Sequence, residues 1–482
     1  MIDLNKELHK HSAFKSFRPG QEEVLLNLFA GQNTLAVLPT GGGKTLLYQL
    51  YGAITHQRVL IVSPLISLMQ DQVGRLQYLG SKRVVAITSA MDFKERTAIL
   101  RNLSHYQYIY VSPEMLVNQS VFPFVAQQNI GLFVIDEAHC ITEWGPDFRP
   151  DYLRLGAVRK QLGNPLTLMM TATATQPTRT DILQRMGFSV GEARQVVMPT
   201  NRRNIFFKAK VCANQKEKND QLESLVSHLD GSGIIYFSSK SQAEQIAAML
   251  TQKTHKRVMA YHGGMDNQQR FRIQQQFMND DIDIVCATSA FGMGIDKENV
   301  RFVIHYHLPN NIQSYVQEIG RCGRDQQPSL AILLYEPNDQ YLQLGLIENT
   351  IPEEQLLSYL YQHPNELEKN DAFRVIKYYY DTGKSFEEAV SIFDQAKKHR
   401  IQELEAIIAY IYTTGCRRKL LLQHFDEVVN NENSEFCCDF HSDFWGHWRE
   451  FNDHYLKGVK QVKRQRSTDW HQILNNLFLL KN

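Results

Sequence analysis

Lys44 and Thr45 close the stretch Leu38–Thr45, Leu-Pro-Thr-Gly-Gly-Gly-Lys-Thr. Consecutive glycines let backbone N–H groups converge on an anion, and a helix start adds the positive end of its dipole. Thr40, Gly41, Gly42 and Gly43 would cradle nucleotide phosphates. Lys44 would put a charge on the β- and γ-phosphates, and the Thr45 hydroxyl would hold Mg²⁺. Leu38 stands where the usual spacing has a glycine, and a glycine-rich loop by itself also describes a tight turn. Asp136-Glu137-Ala138-His139 supplies a second part. Asp136 would bind Mg²⁺ through oxygen, and Glu137 would orient and deprotonate an attacking water. An isolated acidic pair is commonly a solvated strand end; beside the Lys44 loop that reading loses its force.

Phosphoryl transfer also needs positive charge opposite the γ-phosphate. Gln317-Glu318-Ile319-Gly320-Arg321-Cys322-Gly323-Arg324 can supply it. Arg321 and Arg324, three apart, are expected on one helix face with Gln317 beside them. An arginine delivered from a second domain is worth ~10³–10⁵ in rate. Alone, the same residues read as a solvated basic helix. Ser63, Ser112 and Ser238 fall at strand ends, where hydroxyls could grip nucleic-acid phosphates without reading sequence. Taken singly, each reads as a cap or turn residue.

These residues need a scaffold. Apolar, β-rich runs lie at Thr34–Leu38, Val59–Ser63, Val84–Ile87, Tyr108–Val111, Leu132–Ile135 and Leu166–Met170, with helical patterns between them. Runs without alternation suggest strands covered on both faces. Strands alternating with helices suggest a parallel, doubly wound sheet. After the polar joint Asn201–Asn204 the pattern restarts, at Ile205–Val211, Gly233–Phe237, Arg257–Tyr261, Ile282–Ala287, Val300–Tyr306 and Leu330–Tyr335. After about Pro337 the strands stop. Residues 350–430 read as helical, with Leu356, Leu357, Leu360, Val375 and Tyr378 on one face, and Phe440–Asn482 is aromatic and basic. The expected class is α/β: two parallel-sheet domains in tandem (1–204, which binds the nucleotide, and 205–345), a helical subdomain (346–445) and a tail (446–482).

A chain of 482 residues can hold two to four such units. No stretch approaches the ~18 apolar residues of a membrane span, and Met1–Gly20 has no apolar core typical of a secretory signal. A cytoplasmic protein with no membrane partner is expected. The net charge of +1 means that any basic surface for nucleic acid is local. Cys140, Cys212, Cys286 and Cys322 are scattered and read as reduced packing residues, whereas Cys416, Cys437 and Cys438 lie together in the last quarter.

Taken in order, the signals at Phe17–Gln21, Leu38–Thr45, Ser63–Gln72, Val111–Glu114, Asp136–Cys140, Thr171–Ala174, Ile234–Phe237, Ala287–Asp296 and Gln317–Arg324 resemble the RecQ group of superfamily 2 DNA helicases. The resemblance covers residues 10–340 and implies two RecA-like domains. It implies ATP selectivity: Gln21 would hydrogen-bond the adenine edge, with Arg18 nearby and Phe14 at a stacking position. Gly294 and Asp296 would contact nucleotide from the second domain, and Thr171–Ala174 would link hydrolysis to strand movement. Ile141–Pro150 resembles the family's aromatic-rich loop, in which Trp144 and Phe148 offer stacking platforms and Arg149 a phosphate contact. Pro146 departs from the family's usual histidine there and removes an N–H. The implied activity is ATP- and Mg²⁺-dependent 3′-to-5′ movement on single-stranded, tailed or forked DNA, in repair or recombination, with a monomer expected. The core motifs do not separate DNA from RNA, and an adaptor with a silent ATPase is the reading from another class.

Cys416-Arg417-Arg418 resembles the start of the family's zinc-binding hairpin. Cys438-Asp439 fits its central pair, His441 stands in place of the last cysteine, and Cys437 sits off the usual position. Cys416, Cys437, Cys438 and His441 could make a Cys₃His tetrahedron for Zn²⁺. His424 or His447 could substitute, and a metal-free hairpin held by packing is the alternative.

Overall fold

The computed structural model describes residues 3–12, 14–78, 80–142, 150–292, 297–428, 436–442 and 448–457. Among these, residues 3–142 and 151–200 form one compact unit and residues 201–457 another.

The first unit is a seven-stranded parallel sheet: β1 (Asn33–Val37), β2 (Arg58–Val62), β3 (Val84–Ile87), β4 (Tyr108–Val111), β5 (Ile130–Ile135), β6 (Thr167–Thr171) and β7 (Ala193–Val197), in the order β3-β4-β2-β5-β6-β1-β7. Its apolar runs do not alternate because both faces are covered. Leu60, Ile109 and Phe133 point into one core, Ile61, Tyr110 and Val134 into the other. β7 has no counterpart among the expected runs. It is an edge strand whose Arg194, Gln195 and Val197 face solvent, so burial leaves little apolar signal on it. β5 is the central strand, and β1 lies two places from it, across β6. Their carboxyl ends therefore set the phosphate loop and the acidic pair near one another, where ligands of such sheets bind.

The second unit is a six-stranded parallel sheet: β8 (Ile205–Val211), β9 (Ser232–Tyr236), β10 (Val258–Tyr261), β11 (Ile284–Ala287), β12 (Val300–His305) and β13 (Ser329–Tyr335), in the order β10-β11-β9-β12-β13-β8. The helical region belongs to this unit. Its long helix Phe386–Tyr412 starts at a reciprocal cap between Ser385 and Glu388. Leu404, Ile407, Tyr410 and Ile411 then pack on one face of the sheet with Leu421, Cys437 and Cys438. In the helix Arg374–Asp381 the buried pair is Ile376 and Tyr379, one residue on from the expected Val375 and Tyr378. Both pairs fit a helical period; packing of Tyr379 against Phe393, ring centroids 5.9 Å apart, decides between them. The described start of the tail is no free arm: Phe451 is fully buried on the other face, 5.4 Å from Phe206, and Asn452 exchanges hydrogen bonds with Asp230.

Candidate nucleotide and metal sites

The phosphate loop is shaped by two glycines at positive φ, Gly41 (81°) and Gly43 (73°), the second capping the helix Lys44–Thr55. At Gly43 a Cβ would stand 2.5 Å from Gln21 Nε2. That nitrogen donates to the carbonyls of Gly42 (2.9 Å) and Gly43 (3.0 Å), while Gln21 Oε1 accepts from the Arg18 backbone N–H at 2.8 Å. The Gln21 amide thus ties the stretch expected to read adenine to the loop expected to hold phosphate. Phe14 is 43% exposed, as a stacking platform requires, and Arg18 is exposed. Lys44 Nζ lies 3.4 Å from the Leu38 carbonyl, and its charge acts on Asp136. Leu38, in the usual glycine position, is fully buried in the core. Thr40 precedes the glycines, and Thr45 is the second residue of the helix.

Asp136 follows β5, its N–H bonded to the Val62 carbonyl and its own carbonyl accepting from Tyr152 Oη at 3.0 Å. Burial, then the adjacent Glu137 charge, push its carboxyl up to about 7, against Lys44. Crowded carboxylates of this kind fit a divalent cation, which offsets both effects. Glu137 is buried and holds a left-handed backbone, φ 47°, seldom adopted by a residue with a side chain. His139 completes the arrangement, and the sequence reading gave it no role. Its Nδ1 lies 3.3 Å from Glu137 Oε2 and 2.8 Å from Thr171 Oγ1, which in turn donates to the Thr173 carbonyl. The acid thereby connects through two side chains to the Thr171–Ala174 segment. Its signal was in view, a histidine two residues after the acid on the turn that follows β5.

The three serines divide. Ser63 is buried at the end of β2, and its hydroxyl has no hydrogen-bond partner among the described residues. Ser112 caps the helix Pro113–Leu116, accepting from Met115 N–H at 3.3 Å. Ser238 Oγ accepts from Gln343 Nε2 at 3.0 Å and contacts the Leu308 carbonyl. Ser112 and Ser238 therefore each also serve the fold through their hydroxyls.

In the second unit the expected helix placement is corrected. The helix Ile312–Ile319 carries Gln317, but Arg321 and Arg324 lie beyond its end, in the turn opened by Gly320 and Gly323. Gly323 at φ 60° cannot continue a helix. Arg321 is buried, and its Nη1 donates to the Gly292 carbonyl. Trp144, Phe148, Arg149, Pro146, Gly294 and Asp296 lie outside the described residues.

Cys416, Cys437, Cys438 and His441 do come together, their donor atoms all within 4.8 Å of one another; His424 is not among them. Cys416 Sγ is 3.6 Å from Cys437 Sγ and 3.8 Å from Cys438 Sγ. Two sulfurs on a tetrahedral zinc, each ~2.3 Å from the ion, stand about 3.8 Å apart, so the donor set fits Zn²⁺. Hydrogen bonds from the other two thiols hold Cys416 well below the usual thiol range and push Cys437 up. Around the cluster, Phe207 N–H donates to the Cys437 carbonyl and Asp439 N–H to the Phe207 carbonyl, which clips this segment to the edge of β8. Asp439 also accepts from Arg417 Nε at 2.5 Å. Cys140, Cys212, Cys286 and Cys322 are buried, as packing residues are, and form no disulfide among the described residues.

Residues 18–182 match the DEAD/DEAH box helicase family, residues 217–326 the helicase conserved C-terminal domain, and residues 375–442 the RecQ zinc-binding family. The chain is 36% identical to the probable ATP-dependent DNA helicase RecS of Bacillus subtilis, over 100% of this chain and 99% of that one. The chain belongs to the RecQ family of helicases. It is 34% identical to the ATP-dependent DNA helicase RecQ of Pasteurella multocida over 90% of its own length, but spans only 62% of that relative. A solved structure of S. cerevisiae Dbp5, bound to RNA and ADP BeF3, shares the fold at a TM-score of 0.56 and 20% identity, covering 70% of this chain and 88% of that one. Among the described residues no helix is long and apolar enough to cross a membrane.

Proposed function

We propose that this RecQ-family chain is an ATP- and Mg²⁺-dependent DNA helicase that moves 3′ to 5′ along single-stranded DNA and acts on tailed or forked duplexes in repair and recombination. The observation that carries this reading is the pairing of a phosphate loop, Leu38–Thr45, with a crowded carboxylate pair, Asp136 and Glu137, in one sheet. ATP phosphates lie against the backbone of Thr40–Gly43 and Lys44, and adenine lies against Phe14, Arg18 and Gln21. Thr45 and Asp136 hold Mg²⁺, which neutralises phosphate charge when bound. Glu137, oriented by His139, takes the proton of the attacking water. Gln317, Arg321 and Arg324 serve the γ-phosphate from the second domain, with Gly294 and Asp296 as further nucleotide contacts. Ser63, Ser112, Ser238, Trp144, Phe148 and Arg149 meet the strand. Cys416, Cys437, Cys438 and His441 hold a structural zinc. The protein works as a monomer in the cytoplasm.

Steady-state ATP turnover with and without single-stranded DNA tests the reading. Turnover is expected to rise with DNA, and Glu137→Gln is expected to abolish it while strand and nucleotide binding persist. Turnover unmoved by DNA, or loss of strand binding in Glu137→Gln at an unchanged melting temperature, would overturn it.

A further inference from the structure

The turn carrying Arg321 and Arg324 is held from outside by two side chains, Arg202 and Asn204. Arg202 Nη1 donates to the Gly320 carbonyl at 3.2 Å, and its Nη2 donates to the carbonyls of Cys322 (3.2 Å) and Gly323 (2.5 Å). Asn204 Nδ2 adds bonds to the carbonyls of Gly323 (2.8 Å) and Gln327 (2.9 Å). These carbonyls follow the end of the helix Ile312–Ile319, where backbone acceptors lack helical partners and a cation is favourable. A planar guanidinium can serve three of them at once; an ammonium cannot match that geometry. The approach is close enough to require Gly323, where a Cβ would meet Asn204 Nδ2 at 2.4 Å.

Arg202 is itself fixed. Arg418, 2% exposed, donates from Nη1 to the Arg202 carbonyl (2.8 Å) and Asn201 Oδ1 (2.9 Å), and from Nη2 to the Ile205 carbonyl (2.6 Å). It lies over the Phe207 ring at 4.5 Å and reaches the Cys437 sulfur at 3.4 Å. One chain of contacts therefore runs from the cysteine cluster through Arg418 and the backbone at 201–205 to Arg202 and the turn.

We infer that Arg202 is a positioning residue for ATP hydrolysis. It fixes the turn that aims Arg321 and Arg324, and Arg418 anchors it to the helical region. This rests on the reading that those two arginines serve hydrolysis.

The test uses the full chain with saturating single-stranded DNA. Arg202→Ala is expected to lower kcat about tenfold or more with KM for ATP within about twofold, and Arg202→Lys to recover part of the loss. Amide exchange is expected to speed up in the peptide spanning residues 318–325 and not across the rest of the second sheet. A kcat within about twofold of the parent, or faster exchange spread through the whole sheet, would overturn the inference. If Arg202→Ala fails to fold, Arg202→Gln decides, because unchanged exchange at 318–325 there overturns it too. Arg321→Ala separates the two claims. If it is inactive while Arg202→Ala keeps full kcat, only the positioning role falls; if Arg321→Ala itself turns over normally, the reading of the arginines falls.

Discussion

Gly43 concentrates two demands in one residue: a left-handed φ of 73° and a Cβ position 2.5 Å from Gln21 Nε2. Alanine there costs about 1–2 kcal/mol in backbone strain and displaces the Gln21 amide. Gly43→Ala is therefore expected to weaken ATP binding by about tenfold or more with a small drop in melting temperature, read by nucleotide titration beside a thermal melt. At this scale the sequence was most legible where chemistry restricts residue type. A lysine and threonine after three glycines and an acidic pair after an apolar run admit few other uses. Arg202 was illegible because its role depends on which backbone it meets, and His139, close to the acid in sequence, gains its role only where the fold brings Thr171 beside it. Nothing near Arg202 in the chain announces carbonyls some 120 residues away.

At the scale of elements, buried parallel strands leave unbroken apolar runs, and all but β7 stand out for that reason. An edge strand with one neighbour and solvent-facing arginine and glutamine carries no such mark. The expected helix through Arg324 ended early because glycine outweighs the spacing of the arginines. The family resemblance pointed to the hairpin, and the structure brings its four donor atoms within 4.8 Å of one another. Purified protein is expected to carry about one equivalent of zinc by elemental analysis, and Cys438→Ser or a strong chelator to lower the melting temperature markedly. Less than about half an equivalent would favour a hairpin held by packing alone.

Across the whole molecule, His307 contributes one share of the acid sensitivity. It is buried at the end of β12, and its Nδ1 accepts from the Ser238 N–H at 3.0 Å, an arrangement only the neutral ring can make. Burial, with the Lys218 charge adding to it, holds it down at about 3. The unfolded chain binds this proton near 6.5 and the folded one does not, so the contribution is complete above pH 6.5 and is lost as pH falls towards 3. By pH 5 the loss is about 2 kcal/mol. Asp136, held up at about 7, gains stability over the same window by taking its proton first in the folded state. The His307 share is therefore read as the difference between the parent and His307→Gln in urea denaturation at pH 7 and pH 5. The outermost strand of the second sheet has its free side covered by the chain's own cysteine segment, through Phe207. Were oxidation to pull that clip away, the outward-facing backbone groups of β8 around Phe207 would be offered to any neighbouring molecule. Solubility in storage would then depend on sulfur chemistry, and clumping would precede unfolding.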